Sequence, residues 1–257
     1  MNTSNRPKIL VTNDDGIFAP GIFALSQAME AVGEVYVVAP DAERSAVGHA
    51  ITLSDPLRVW EFEKNGSFFG WAVNGTPADC VKLAVKALLD FKPDLVVSGI
   101  NLGPNTAMNV IYSGTVSAAT EGTILGIPSI AFSLSTFRKT DFSFAQKVAR
   151  QVARQVLQNG LPEDTLLNVN IPALPESEIK GIKITRQGKG RYEEILEKRV
   201  DPMKRTYYWL GGKKLILDTD EDVDEVAVMN GYVSITPLHY DLTDYRFLKQ
   251  LKTWDLE

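Results

Sequence analysis

The sequence is poor in the residues that form disulfides or hold zinc. Cys80 is its only cysteine, so no intrachain disulfide can form. There are only two histidines, His49 and His239, and they stand far apart in the chain. Because zinc sites are built mainly from cysteine and histidine, this scarcity argues against a zinc centre.

Long apolar runs and a strong charge of either sign are also missing. No apolar stretch approaches the ~18–20 residues that span a bilayer, and the opening MNTSNRPK has no apolar signal core. The net charge of −5 disfavours non-specific binding to nucleic acid or to membranes. We therefore expect a soluble cytoplasmic protein.

Material for a packed core is abundant, since 44% of the 257 residues are hydrophobic. Five short runs rich in Val, Ile and Leu predict strands that are buried on both faces. These runs are 9–12, 35–39, 95–98, 129–133 and 166–170. A helical segment lies between each consecutive pair of runs, at 20–33, 76–89, 113–126 and 142–160. This alternation predicts an α/β fold, a Rossmann-like, doubly wound and mostly parallel sheet.

Residues that favour helix ends support the predicted helices. Pro20 stands near the start of the first helix and Gly33 just past its end, the asymmetry that helices favour. Thr76, Pro77 and Asp79 predict a capped helix start, close to a capping box with aspartate in place of glutamate.

The character of the sequence changes after residue 176. Residues 182–222 predict extended segments joined at the Gly-Gly pair 211–212, which together form a hairpin. A last strand and its exit are predicted within 231–244, and a short terminal helix within 245–254. We divide the chain into an α/β core, 1–176, and a hairpin with a C-terminal segment, 177–257, which is either a second unit or part of the same domain. Such a protruding hairpin has little core of its own, which favours packing against another subunit.

Oxygen-bearing side chains follow three of the predicted strands. The candidates are two carboxylates, one hydroxyl and two amides: Asp14, Asp15, Ser45, Asn101 and Asn105. The carboxyl ends of parallel strands meet at one edge of a sheet, where ligands bind. Hard oxygen donors suit Mg²⁺ or Mn²⁺. The alternative is that NDDG is an ordinary turn and that the asparagines cap helices.

The segment YSGTVSAATEG, 112–122, places Ser113, Gly114 and Thr115 at the start of a helix of small residues. A helix N-terminus offers free N–H groups and a positive dipole end to a phosphate. An ordinary Ser/Thr cap explains the same residues. A cation beside such a helix start suggests phosphate chemistry, in which a metal polarises the ester and activates the attacking water.

Six segments taken together resemble the SurE family, the stationary-phase survival proteins. They run in the family's order and extend over nearly the whole chain: 9–22, 37–52, 74–81, 94–105, 112–122 and 231–244. The resemblance implies a metal-dependent phosphatase that hydrolyses nucleoside 5′- or 3′-monophosphates, with short polyphosphate as a further substrate. It also implies a homodimer or homotetramer whose late hairpin and C-terminal segments are exchanged between subunits.

The same resemblance implies a role for each candidate residue. One Mg²⁺ or Mn²⁺ per subunit is held by Asp14, Asp15, Ser45 and Asn101, while Asn105, Ser113, Gly114 and Thr115 contact the substrate phosphate. Either aspartate could accept a proton from the attacking water, and the sequence leaves open which one does so. Two positions depart from the family pattern: Ala46 replaces a common glycine, and Asn109 replaces a common aspartate.

Two other functions are alternatives to the enzyme. A non-catalytic nucleotide or phosphate sensor would keep the pocket, but the intact Asp-Asp pair argues against it. A nucleic-acid site is suggested by 183–209, where eight Lys/Arg face four Asp/Glu among aromatic residues. Aromatic residues buried at a dimer contact are the preferred explanation of that stretch. Of the minor candidates, Cys80 is interpreted as a small buried hydrophobe, His49 as a loop residue, and the acidic run 218–225 as a helix start.

Overall fold

The computed structural model describes residues 6–138 and 140–256. The strands in chain order are β1 (Lys8–Thr12), β2 (Glu34–Pro40), β3 (Val59–Lys64), β4 (Ser67–Val73), β5 (Leu95–Leu102), β6 (Ser129–Ser135), β7 (Thr165–Pro172), β8 (Ile182–Ile184), β9 (Arg191–Val200), β10 (Thr206–Leu215) and β11 (Val233–His239). The helices are α1 (Pro20–Glu30), α2 (Pro77–Leu83), α3 (Asn109–Tyr112), α4 (Gly114–Ile124), α5 (Ser143–Asn159), α6 (Asp224–Met229) and α7 (Tyr245–Leu251). A π-helical turn, Ala84–Leu88, continues α2.

The central sheet has the strand order β3-β4-β2-β1-β5-β6-β7-β11-β8. Five neighbouring strands of the sheet are parallel, as their continuous apolar runs predict: β2, β1, β5, β6 and β7. β1 pairs with β2 on one side and with β5 on the other. The strand order therefore reverses between β1 and β5, which is where ligands bind in open α/β sheets.

Helices cover both faces of the sheet and confirm the predicted doubly wound fold. α1 and α5 pack on one face through residues such as Leu25 and Val152. α2 and α4 pack on the other through Cys80 and Ala118. Cys80 is fully buried in this second layer, which confirms its interpretation as a small hydrophobe.

The predicted start of α2 is also confirmed. Thr76 Oγ1 accepts a hydrogen bond from the Asp79 N–H at 3.1 Å, and Asp79 Oδ2 accepts one from the Thr76 N–H at 2.9 Å. Asp79 further accepts hydrogen bonds from the N–H and hydroxyl of Thr52. Burial raises the pKa of Asp79, but the bonds from Thr52 and Thr76 outweigh burial and lower it. This carboxylate therefore ties the loop before β3 to α2.

The predicted Gly-Gly turn is wrong. Gly211 and Gly212 lie inside β10, paired with Ile195 and Glu194, and the chain reverses at 201–205 instead. There Asp201 Oδ1 accepts the Arg205 N–H at 2.9 Å. A β-carbon at Gly212 would lie 2.4 Å from the Glu193 carbonyl oxygen, so this glycine serves the close approach of two strands.

Residues after 176 contribute to two structures. β8 and β11 complete one edge of the nine-stranded sheet, and β11 runs antiparallel to β7. β9 and β10 form a separate antiparallel hairpin, and every residue of β9 is exposed. The terminal helix α7 is present as predicted, and the acidic run leads into α6 at Asp224. The division at residue 176 stays a prediction. No helix in the described residues is long and apolar enough to cross a bilayer.

Candidate active site

Three loops meet beyond the carboxyl ends of β1, β2 and β5. The Arg44 N–H donates to the Asp14 carbonyl at 2.7 Å, which fixes the loop after β2 beside the loop after β1. The Gly48 N–H donates to the Tyr112 carbonyl at 3.1 Å, which joins the same loop to the start of α4. These two bonds place the loop after β2 beside the loop after β1 and beside the start of α4, the long helix that follows β5.

Asp14 packs directly against the N-terminus of α4. Its Oδ1 accepts a hydrogen bond from the Thr115 hydroxyl at 2.5 Å. A β-carbon at Gly114 would lie 2.7 Å from Asp14 Cβ and 3.0 Å from Asp14 Oδ2. Only glycine at this position lets the helix start approach the carboxylate so closely.

The two adjacent aspartates are strained electrostatically. Asp14 is 5% exposed, and burial raises its pKa, although the hydrogen bond from Thr115 opposes the rise. Burial, followed by the charges of Asp14 and Glu43, raises the pKa of Asp15 to about 7. A positive charge between these two carboxylates would favour their ionised forms and lower both pKa values.

Glu43 is a third carboxylate near the pair, and it is not among the residues predicted from the sequence. The Ser45 hydroxyl donates to Glu43 Oε1 at 2.7 Å, so Ser45 is turned toward this carboxylate. Ala46 has φ +57°, a left-handed conformation that favours glycine. This explains why glycine suits the position at which this chain departs from the family pattern.

Of the two predicted amides, Asn101 lies near the end of β5 and Asn105 follows the strand. Asn101 Nδ2 donates to the Gly103 carbonyl at 2.8 Å, which leaves Oδ1 as the oxygen available to a ligand. Asn105 is 7% exposed, and its Nδ2 donates to Ser133 Oγ at 2.9 Å. One N–H of the Asn105 amide group therefore remains for another acceptor.

The Asn105 backbone is held by two asparagines that sequence reasoning missed. Asn170 Oδ1 accepts the Asn105 N–H at 2.8 Å, and the Nδ2 groups of Asn168 and Asn170 donate to the Asn105 carbonyl. Both asparagines are fully buried in β7. Their only signal in the sequence is that two amides interrupt a strand that is otherwise apolar.

The Ser113 side chain caps α4, as the simpler interpretation expected. Its Oγ accepts the Val116 N–H at 3.1 Å. Helix α4 has 11 residues, so its first N–H groups and dipole form a positive end beside Asp14. Gly114 and Thr115 are thus close to the aspartates, whereas any contact with a phosphate stays a prediction.

His49 is more than a loop residue. Its Nε2 lies 3.0 Å from Glu121 Oε2, while Lys82 Nζ lies 2.6 Å from Glu121 Oε1. Burial raises the pKa of Glu121, but the bonds from His49 and Lys82 outweigh it and lower that pKa. Through these contacts Glu121 in α4 connects His49, in the loop after β2, to Lys82 in α2.

Several buried polar atoms near the strand ends lack a hydrogen-bond partner among the described residues. Those at β1 and β5 are Thr12 Oγ1, Asn13 Oδ1 and Ser98 Oγ. Unpaired buried oxygens beside two carboxylates fit a site that binds a hydrated cation. Over the part of the chain that the structure describes, no group of three or more His, Cys, Asp or Glu side chains could hold a metal. A cation here would therefore need hydroxyl and amide ligands as well.

Comparison with known proteins supports the family to which these features point. The chain matches the family described as Survival protein SurE over residues 9–194. The chain belongs to the SurE family. Its 5′-nucleotidase SurE relative from Chlorobaculum tepidum is 52% identical over 252 residues, which is 98% of this chain and 96% of the relative. A relative of the same name from Pelotomaculum thermopropionicum is 53% identical over 247 residues, 95% of this chain and 94% of that protein.

The fold agrees with a SurE crystal structure. The SurE protein from Aquifex aeolicus superposes with a TM-score of 0.83 at 49% sequence identity, covering 96% of this chain and 98% of that one. The sequence resemblance to SurE is thereby confirmed over nearly the full length. The roles of the individual site residues stay predictions.

Proposed function

We propose that this SurE protein is a nucleotidase that removes phosphate from nucleoside 5′-monophosphates with the help of one Mg²⁺ or Mn²⁺ per subunit. The observation that carries the proposal is the Asp14–Asp15 pair at the switch point of the sheet, in which Asp15 is half-buried and Asp14 is buried against the N-terminus of α4. The curated relatives described above bear the name 5′-nucleotidase SurE. We extend the proposal to nucleoside 3′-monophosphates and to short polyphosphate.

The proposed cation ligands are Asp14, Asp15, Ser45 and Asn101. The donor set fits, because two carboxylates balance a doubly charged ion and the two neutral groups add no charge that would repel an anionic substrate. Ser45 would exchange its bond to Glu43 for this role. When bound, a divalent cation polarises the phosphate ester and lowers the pKa of a water molecule.

The chain's own groups then orient the substrate. The N–H groups at the start of α4 and the remaining N–H of the Asn105 amide would hold the phosphate oxygens. Thr115 keeps Asp14 in place through its hydrogen bond to Oδ1. The proton of the attacking water would pass to one of the two aspartates, and the proposal covers both.

The test is phosphate release from a panel of 5′- and 3′-nucleoside monophosphates and short polyphosphate. We expect no release after EDTA treatment and recovery on adding Mg²⁺ or Mn²⁺, because the aspartate pair needs a counter-charge to bind an anion. Nucleotide binding without phosphate release under any cation would contradict the enzyme and support a nucleotide sensor.

We also propose that the hairpin and C-terminal segment make the oligomer contact. The hairpin exposes large apolar side chains: Ile195, Leu196, Tyr208, Trp209 and Leu210. None of the α7 residues is buried. Exposed apolar patches of this kind mark protein interfaces. Light scattering should give a dimer or tetramer, and the exchanged arrangement and a cytoplasmic location belong to the same proposal.

Asp15 provides a test of the cation site that does not depend on activity. Its pKa is raised to about 7, while an unfolded aspartate titrates near 3.9. The stabilising contribution of the protonated group is therefore full below about pH 4 and is lost as the pH rises through about 7. Asp15→Asn should raise the Tm in EDTA at about pH 8 by ~2–4 °C, after allowance for solvent screening.

The advantage of Asp15→Asn should be small near pH 4, where the Asp15 carboxyl is protonated in the folded protein and about half protonated in the unfolded chain. Mn²⁺ at about pH 8 should stabilise the wild type more than the variant, because only the wild type has both carboxylates. Thermal unfolding followed by circular dichroism measures these shifts. Equal Tm values for wild type and variant at both pH values would contradict the proposed repulsion.

A further inference from the structure

The segment that carries Asn105 contains a residue in a strained conformation. Ala107 has φ +52°, in the left-handed region that alanine rarely adopts, and it is fully buried. Such a conformation persists only where surrounding contacts impose it. We name residues 104–109 the Asn105 loop and ask which contacts hold Ala107.

Both backbone polar groups of Ala107 are held by residues distant in sequence. Its N–H donates to Asp224 Oδ2 at 2.9 Å. Its carbonyl accepts a hydrogen bond from Gln187 Nε2 at 2.8 Å. With its donor and acceptor both engaged, Ala107 is fixed in the left-handed conformation from two sides.

The neighbours of Ala107 are tied to the same region. Lys214 Nζ donates to Thr106 Oγ1 at 3.2 Å, and the Met108 N–H donates to the Gly190 carbonyl at 3.3 Å. Three consecutive residues of the Asn105 loop therefore contact the segments that enter and leave the hairpin.

These partners surround the point where the hairpin joins the core. Gln187 and Gly190 precede β9, and Lys214 lies near the end of β10. Asp224 Oδ1 also accepts the Gly188 N–H at 3.0 Å, so one carboxylate holds both the loop and the approach to the hairpin. We name residues 186–190, 213–215 and Asp224 the hairpin base.

A buried ion pair supports the same junction. Lys214 Nζ lies 2.8 Å from Glu225 Oε2 in an ion pair that does not have the geometry of a hydrogen bond. Glu225 is almost fully buried. A β-carbon at Gly190 would lie 2.2 Å from Glu225 Oε1. The hairpin base is thus packed closely against Glu225 and joined to it by an ion pair.

We infer that the hairpin base is a positioning element for the substrate site, with Gln187 and Asp224 holding Ala107 so that Asn105 faces the phosphate. The inference rests on the proposed function, which places Asn105 at the substrate. Gln187 and Asp224 are positioning residues, since they act through the Ala107 backbone. A SurE subunit with a displaced hairpin base would have a weakened phosphate site.

Gln187→Ala in the full-length, Mn²⁺-loaded protein tests the inference. We choose Gln187 because it is half-buried, whereas replacing the fully buried Asp224 would endanger the fold. The variant should lower kcat/KM for adenosine 5′-monophosphate by about tenfold, the upper end of the effect of one net hydrogen bond. Inhibition by inorganic phosphate should weaken by a similar factor.

The chain offers a closely matched control. Gln146 Nε2 donates to the Ala24 carbonyl at 2.8 Å, the same kind of bond at the same length, and Gln146 is also half-buried. It joins α5 to α1, on the face of the sheet opposite α4, the helix to which the Asn105 loop leads. Gln146→Ala should leave kcat/KM and phosphate inhibition as in the wild type.

A second substitution tests whether the backbone conformation of Ala107 carries the effect. Glycine adopts positive φ without the penalty that alanine carries. Ala107→Gly added to Gln187→Ala should therefore recover most of the lost kcat/KM. A general loss of stability is tested separately, since it would lower the Tm of Gln187→Ala but leave kcat/KM unchanged well below that temperature.

Each result has a defined meaning. An active wild type in which Gln187→Ala behaves like Gln146→Ala, or in which Ala107→Gly restores nothing, overturns the inference and leaves the proposed function intact. If the wild type binds adenosine 5′-monophosphate and inorganic phosphate but hydrolyses nothing, the proposed function fails. The phosphate dissociation constants then replace kcat/KM in the test. The inference fails if Gln187→Ala binds phosphate as Gln146→Ala does, or if Ala107→Gly restores no binding. A wild type that neither hydrolyses the nucleotide nor binds phosphate overturns both.

Discussion

Replacement of Asp14 by asparagine is expected to lower phosphate release from nucleoside 5′-monophosphates by about 10³-fold, the loss that follows when a main charge-stabilising group is removed from a site. Asparagine has nearly the same shape, and its Oδ1 can still accept the Thr115 hydroxyl. The change therefore removes the charge while retaining the local packing. Phosphate release at saturating Mn²⁺ measures the effect.

Asp94→Asn is the matched control for Asp14→Asn. Asp94 precedes β5, and its Oδ2 accepts the Lys8 N–H at 2.7 Å, at the amino end of β1, the strand that Asp14 follows. Asparagine can keep this bond, so activity should remain within about twofold of wild type. A folded Asp14→Asn protein that retained a tenth or more of the activity at saturating Mn²⁺ would contradict the proposed role of the pair.

Gly114→Ala is expected to lower kcat/KM by about 10²-fold, the loss that a displacement of about 1 Å in a site can cause. The added β-carbon would lie 2.7 Å from Asp14 Cβ, whereas carbon atoms prefer separations of about 3.5–4.0 Å. Either α4 or the Asp14 side chain must move by roughly the difference. Both movements separate the helix N-terminus from the aspartate pair.

The same added methyl group can be placed where space is available. Gly211 lies in β10, and the nearest heavy atom to a β-carbon there is the Ile195 carbonyl oxygen at 3.9 Å. Gly211→Ala should therefore leave kcat/KM close to the wild-type value. Equal kinetic constants for Gly114→Ala and Gly211→Ala would contradict the close packing of α4 on Asp14 as a functional requirement.

The parallel strands of the sheet could be predicted because their signal is local. A strand covered on both faces must be apolar along its length, and β1, β5 and β6 satisfy this condition. The start of α2 could be predicted in the same way, since a capping box needs only four consecutive residues. The strands β3 and β4 at one side of the sheet were not identified, because strands with one exposed face have no continuous apolar run.

Turn chemistry produced the one clear error. A Gly-Gly pair and an Asp-Pro sequence both favour turns, and the sequence alone does not rank them. In the structure the hydrogen bonds of Asp201 decide in favour of 201–205. Gly212 is needed instead because the Glu193 carbonyl lies too close for a β-carbon.

The α/β layers, the family and the meeting of oxygen-bearing loops at one edge can be predicted from the sequence, because each depends on patterns within a few residues or on ordered segments. The support of the groups at that edge depends instead on contacts between distant segments. The pairs Ala107–Asp224, Asn105–Asn170 and His49–Glu121 join residues 117, 65 and 72 positions apart. No local pattern encodes such pairs, since they form only when the folded chain brings distant segments into contact.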